Sequence, residues 1–344
     1  MTKLLFAATC LVCTSFATNL VAQSQDSSSP FPKLSLKADD QILFLGDSIT
    51  QAGQYIAFVQ TWLWANHPDL KLDIVNLGLG SETASGDSEP DHPFPRPCVH
   101  ERIDRILAKT DPDVVFVCYG MNDGIYYPPG EERFAHYREG IDSLLAKLEK
   151  EGRKIVLMTP PPFDKEAMKG KGKLVKEIDP DFDYSWMTPY ANYDEVLKGY
   201  ATWILEEKKD EVVPTVSLHK AMTEWLSAKR EVNPEYKMAD GIHPPVEGHL
   251  VMALEILESL GVDRASAEIQ LTELTGIHIG PKASNTKATP LWDLITKRRR
   301  LLNSSWIEDV GHKKPKSKKL PMPLDEAKAK AAEMETAIRT LLNE

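Results

Sequence analysis

Short apolar runs punctuate the chain at Gln41–Leu45, Asp73–Asn76, Val114–Cys118, Lys154–Met158 and Val212–Val216, and they predict strands. Between them, apolar residues recur at helical spacing near Tyr55–Asn66, His100–Lys109, Glu132–Glu149, Tyr190–Glu207 and Leu218–Lys229. Strands separated by helices of this length need crossover connections, which imply a parallel sheet covered on both faces. The runs ILFL and VVFVC are continuously apolar, as strands buried on both faces should be. A further helical pattern, EGHLVMALEIL, starts near Glu247. The expected fold is therefore α/β, a three-layer α/β/α domain over residues 39–261. Past Gly261 the pattern changes to helices at Trp292–Leu302 and Leu324–Leu342, the second rich in Ala, Lys and Glu. Residues 262–344 thus form a helical C-terminal extension. Its basic stretch, His312 to Lys319, reads as a solvated face or linker, with polyanion binding as the alternative.

The N-terminus has its own signature. Lys3, the apolar stretch from Leu4 to Val12 and the small residues that follow have the order of a signal peptide ending near Gln23. The apolar core is too short to span a bilayer, and no later segment is long enough either. Export to the periplasm or the outside is expected, with an uncleaved anchor as the alternative. Residues 24–38 are Ser/Pro-rich and read as a flexible leader. Two cysteines remain, Cys98 and Cys118, and Cys118 lies in an apolar run that suits a buried thiol better than a disulfide. The net charge of −10 argues against nucleic acid as the partner, because phosphate binding needs a basic face. It leaves a polysaccharide possible.

In an open parallel sheet, ligands bind beyond the carboxyl ends of the strands. Polar clusters follow the strands at those ends: Gly46-Asp47-Ser48-Ile49-Thr50, Asn76-Leu77-Gly78-Leu79-Gly80-Ser81-Glu82-Thr83 and Tyr119-Gly120-Met121-Asn122-Asp123. Asp240-Gly241-Ile242-His243-Pro244 comes late, just before a helical pattern. A serine hydroxyl becomes a nucleophile only when a base takes its proton. Ser48 at a strand-to-helix turn exposes its oxygen, although Asp47 or Ser48 could equally be a helix cap. Asp240 and His243, three residues apart on a turn, can approach so that the carboxylate sets the imidazole tautomer. The same residues could instead form a plain turn with a surface histidine. His249 is the competing base, but it lies inside a helical pattern. Asn122 supplies a side-chain amide for an oxyanion, a contact worth about 3–4 kcal/mol in acyl transfer, or else starts a structural turn. No HExxH pattern or cluster of metal ligands is present, and neither a metal nor another cofactor is expected.

These blocks, in this order, resemble the GDSL/SGNH hydrolase superfamily: Gly46-Asp47-Ser48 its nucleophile block, Tyr119 to Asp123 its GxND block, and Asp240 to Pro244 its DxxHP block. The resemblance spans residues 41 to 261. It implies a flavodoxin-like fold and metal-free ester hydrolysis, with Ser48, Asp240 and His243 as the triad. The implied oxyanion hole comprises the Ser48 amide, the Asn122 side chain and one amide from the second block. Family members carry a glycine five residues after the asparagine of that block. Here that place is Ser81, with Gly80 one residue earlier, so either amide is a candidate. The expected substrate is a small-molecule or polysaccharide ester, with a short acyl group such as acetate on a carbohydrate. The alternatives are lipase, lysophospholipase or thioesterase chemistry, or a non-catalytic carbohydrate-binding protein on the same fold. The aromatics of Pro160–Pro189 (Phe163, Phe182, Tyr184 and Trp186) either wall the acceptor side or simply pack.

Overall fold

A computed structural model describes residues 31–169, 173–212, 214–280, 287–315 and 320–343. The strands are β1 (Gln41–Gly46), β2 (Asp73–Asn76), β3 (Val114–Cys118), β4 (Lys154–Met158) and β5 (Thr215–Val216). They form one parallel sheet in the order β2-β1-β3-β4-β5. This is the flavodoxin-like doubly wound order, whose crevice opens where the winding reverses, between β1 and β3. β3 is buried along its whole length, which is why VVFVC carries no polar alternation.

The helices are α1 (Ser48–Ala52), α2 (Gln54–Asn66), α3 (Ile103–Thr110), α4 (Glu131–Leu148), α5 (Asp194–Glu207), α6 (Leu218–Val232) and α7 (Val246–Ser259). The crossover through α2 runs opposite to those through α3, α4 and α5. Right-handed connections therefore put α2 on one face and the other three on the opposite face. α7 packs beside α2, completing its layer.

Several boundaries differ from the sequence reading for local reasons. α5 starts at Asp194, not Tyr190, because the Tyr190 amide donates to the Tyr126 carbonyl at 2.9 Å and ties the chain down first. β5 is reduced to Thr215–Val216, directly after Pro214, which has no amide to donate to a ladder. The expected helix near His100 divides at Arg102, whose φ of −132° separates a short 3-10 turn from α3.

The leader expectation needs correcting for residues 31–36. Phe31, Leu34 and Leu36 are buried, Phe31 stacks on Trp62 at 5.8 Å, and the Lys33 amide donates to the Leu260 carbonyl at 3.0 Å. The apolar residues among the serines and prolines are used for packing. Residues 1–30, which hold the expected signal peptide and the start of the leader, lie outside the described residues.

The helical C-terminal region is α8 (Arg264–Thr275), α9 (Pro290–Val310) and α10 (Leu324–Leu342), of which α8 was not anticipated. α9 lies against the edge strand β2 and against α2, and α10 packs on α9. Trp292 stacks on Phe58 with ring centroids 4.0 Å apart, and the Asn303 side-chain amide donates to the Asn76 carbonyl at 2.9 Å. The hydrophobic core is continuous across Gly261. Cys98 and Cys118 are both free thiols, and Cys118 is buried. No helix among the described residues is long and apolar enough to cross a membrane.

Candidate active site

The end of β1 is shaped by a division of labour between neighbours. Asp47 has extended backbone and caps α1, its carboxylate accepting the Ile49 amide at 2.8 Å. Burial pushes the Asp47 carboxyl up to about 7, against the lowering effect of that hydrogen bond. With the cap supplied by Asp47, the Ser48 hydroxyl is left to face the cleft, and His243 Nε2 lies 2.8 Å from Ser48 Oγ.

The Asp240–His243 turn is organised by one carboxylate. Asp240 Oδ1 accepts the amides of Ile242 (2.9 Å) and His243 (2.8 Å), and Oδ2 faces His243 Nδ1 at 2.7 Å. Gly241 has a φ of 83°, where a side chain would be strained, and a Cβ there would meet the Asp164 carbonyl oxygen at 2.7 Å. Asp164 braces the turn from below: its amide donates to the Gly241 carbonyl at 2.8 Å, and its carboxylate accepts the Met238 amide and the Arg230 guanidinium. Desolvation acts to raise the Asp240 carboxyl, but hydrogen bonds from the His243 side chain and backbone outweigh it and bring it to about 2. The hydrogen bond to Asp240 raises His243 above its ordinary value, despite partial desolvation. His249, the competing base by sequence, is buried in α7 against the Tyr55 ring, with centroids 6.1 Å apart. Burial lowers it to about 3, and it does not line the cleft.

The loop after β2 forms the facing wall. Gly78 lies so close to α1 that a Cβ would meet the Gln51 amide nitrogen at 2.3 Å. The Gly80 amide is occupied, donating to Gln51 Oε1 at 2.8 Å. Ser81 sits at a φ of 69°, and its amide has no acceptor among the described residues. Next to it, Glu82 is fully buried and binds the Arg102 guanidinium through both carboxylate oxygens at 2.6 Å. Tyr119 Oη also donates to Glu82 at 2.7 Å, so the loop is clamped to the chain just beyond β3. Asn122 donates one amide hydrogen to the Glu82 carbonyl at 3.1 Å, which leaves the other for the cleft that it lines.

The cleft encloses about 400 Å³ and brings Ser48, Gly80, Ser81, Asn122 and His243 together, with Asp240 behind the imidazole. Its lining also holds Gln51, His92, Phe94 and Arg96, which the sequence reading did not single out, and Lys314, from the basic stretch read there as a solvated face or linker. Of the four aromatics of Pro160–Pro189, Phe182 meets the Tyr184 ring edge-on with centroids 4.9 Å apart. Trp186 lines the cleft, whereas Phe163 and Tyr184 are buried in packing. No group of three or more potential metal-binding side chains occurs among the described residues.

A doubly wound sheet with this constellation at its switch point defines an SGNH-type hydrolase. Residues 44–251 match the GDSL-like lipase/acylhydrolase family, and the chain belongs to that family. It is a carboxylic ester hydrolase. It is 23% identical over 258 residues to an acetylxylan esterase of Geobacillus stearothermophilus, covering 67% of this chain and 98% of that one. Among solved structures, a gut microbial diltiazem-metabolizing enzyme superposes with a TM-score of 0.52 at 22% identity. That match covers 66% of this chain and 48% of the other, so the chain spans about half the length of that relative. A catalytic mutant of the Geobacillus stearothermophilus acetylxylan esterase gives a TM-score of 0.48 at 21% identity, covering 67% of this chain and 98% of that one.

Proposed function

We propose that the protein is an exported serine esterase that removes short acyl groups, acetyl above all, from carbohydrates. The observation that carries the mechanism is the continuous hydrogen-bonded chain from Asp240 through His243 to Ser48, with distances of 2.7 and 2.8 Å. His243 Nε2 takes the Ser48 proton as Oγ attacks the ester carbonyl, and Asp240 holds the tautomer and stabilises the imidazolium. The alcohol leaves with the proton from His243. Water then enters, gives its proton to His243 and cleaves the acyl-enzyme.

The oxyanion is held by the amides of Ser48 and Ser81 and by the Asn122 side chain. Ser81 is preferred to Gly80 for two reasons: the Gly80 amide is spent on Gln51, and Ser81 adopts the left-handed backbone that suits the glycine the family resemblance implies at this place. The acetyl-carbohydrate reading is supported by the acetylxylan esterase relative, which this chain matches over nearly its whole length. An aromatic side chain at the rim, Trp186, is suited to stacking on a sugar face. Export rests on the signal-like order of residues 1–23.

The test combines a fluorophosphonate probe with acetate release from acetylated xylan. Wild-type protein should be labelled and should release acetate, and Ser48→Ala should do neither while remaining folded. Unimpaired acetate release by Ser48→Ala would remove the nucleophile assignment. Absence of labelling in a folded wild-type protein would favour a binding protein.

A further inference from the structure

We infer that Lys314, delivered by the segment after α9, forms a subsite for an anionic group on the substrate, so that the preferred ester carries a carboxylate close to the scissile bond. This rests on the esterase reading above and adds a substrate class to it.

The ammonium is close to the chemistry. Lys314 Nζ lies 3.4 Å from the Gly80 carbonyl oxygen. A Cβ placed on Gly80 would meet Lys314 Nζ at 2.9 Å and Ser48 Cβ at 3.8 Å, so the cation and the nucleophile flank the same glycine. The position is built. Arg105 donates to the carbonyls of Val310 (3.0 Å) and Gly311 (3.2 Å), and Lys313 turns outward to pair with Glu101 at 2.5 Å. Its neighbour Lys314 turns inward, 5.7 Å from the Phe94 ring centroid.

The charge is also unanswered. The other cation of the wall, Arg96, is matched by Glu89 through two hydrogen bonds. Among the described residues no carboxylate lines the cleft and none pairs with Lys314. A half-buried ammonium with only a long contact to a carbonyl and an aromatic neighbour is under-solvated. Desolvation first, then Arg96, accordingly lowers Lys314 from its ordinary value. A substrate carboxylate would supply the missing partner through a charge-assisted hydrogen bond. Such a group could reside on the alcohol side, as in an acylated uronate, or on the acyl side, as in a dicarboxylic half-ester. The shared chemistry is a carboxylate beside the ester.

The test uses the full chain and matched probes. Phenyl acetate and para-acetoxybenzoate differ by a carboxylate on the alcohol side. Para-nitrophenyl butyrate and mono-para-nitrophenyl succinate differ by one on the acyl side. In at least one pair, Lys314→Gln should lower the anionic-to-neutral ratio of kcat/KM by about tenfold, Lys314→Glu should lower it further, and Lys314→Arg should preserve it. The pair that responds identifies the side that carries the carboxylate. The preference should also shrink with added salt. If neither ratio moves beyond about twofold in folded Lys314→Gln protein, the subsite is overturned while the esterase reading stands. If the wild type shows no Ser48-dependent turnover of the neutral esters, the esterase reading itself fails and the subsite falls with it.

Discussion

At the residue scale, the placement of protons decides what the cleft can do. In the proposed mechanism His243 must be neutral to accept the Ser48 proton, and its hydrogen bond to Asp240 raises it above the ordinary histidine value of about 6.5. Asp240, at about 2, stays ionised throughout the working range and contributes no second inflection. Asp47, pushed up to about 7 by burial beside Ser48, ionises in the same window, so the kcat/KM profile should rise with pH above about 6.5 through His243 and Asp47 together and then level off. Asp240→Asn should move the His243 inflection downward, because the charged form of His243 loses its partner. It should also cut kcat by about four orders of magnitude, since the amide permits the wrong tautomer. A pH-rate series on the two proteins measures both effects. Ser81 gives a second prediction. At a φ of 69° it pays for left-handed backbone with a side chain, so Ser81→Gly should retain turnover and gain about 1 kcal/mol in urea unfolding. Loss of activity in that variant would point to a role for the Ser81 hydroxyl.

At the element scale, the ends of β1 and β3 were legible in the chain because the Gly46–Thr50 and Tyr119–Asp123 blocks follow the continuously apolar runs ILFL and VVFVC. Asp240–His243, which follows no strand, joined the other blocks only through their order in the family resemblance, whereas the Ser48 and Asn122 blocks could be assigned to one rim from the strands they follow. The choice between Gly80 and Ser81 could not, because it turns on where the Gln51 side chain points. Nor could the start of α5, which depends on a tether between Tyr190 and Tyr126, or the placement of Lys314, which contacts a residue 234 positions away. The Glu82–Arg102 pair was invisible for the same reason, and it is the element-scale device most open to test. Both side chains are almost wholly inaccessible, and Tyr119 shares the carboxylate. Replacing Glu82 by Gln removes the countercharge and leaves Arg102 buried, which should cost about 3–5 kcal/mol in denaturant midpoint analysis. Because Glu82 adjoins Ser81 and its carbonyl holds Asn122, kcat should fall as well in whatever fraction remains folded.

At the scale of the whole molecule, the C-terminal helices share one hydrophobic core with the sheet. α9 covers the edge strand β2, and Trp292 inserts against Phe58 in the shared core. A chain ending at Gly261 would expose both an unpaired edge and an apolar face, and it should accumulate as aggregate rather than as a smaller active enzyme. Trp292→Ala offers a gentler measure, with an expected loss of about 3–5 kcal/mol and a single unfolding transition. Separate transitions for the two regions would contradict the shared core. Four residues of the cleft lining have the opposite character. His92, Phe94, Trp186 and Lys314 come from three distant stretches of chain, none belongs to a strand, and all are partly exposed. Substitutions at such positions usually change stability by less than about 0.5 kcal/mol. Residues that line the cleft and residues that hold the fold are here largely different sets, and a library diversified at these four positions should yield enzymes of altered preference at nearly constant melting temperature.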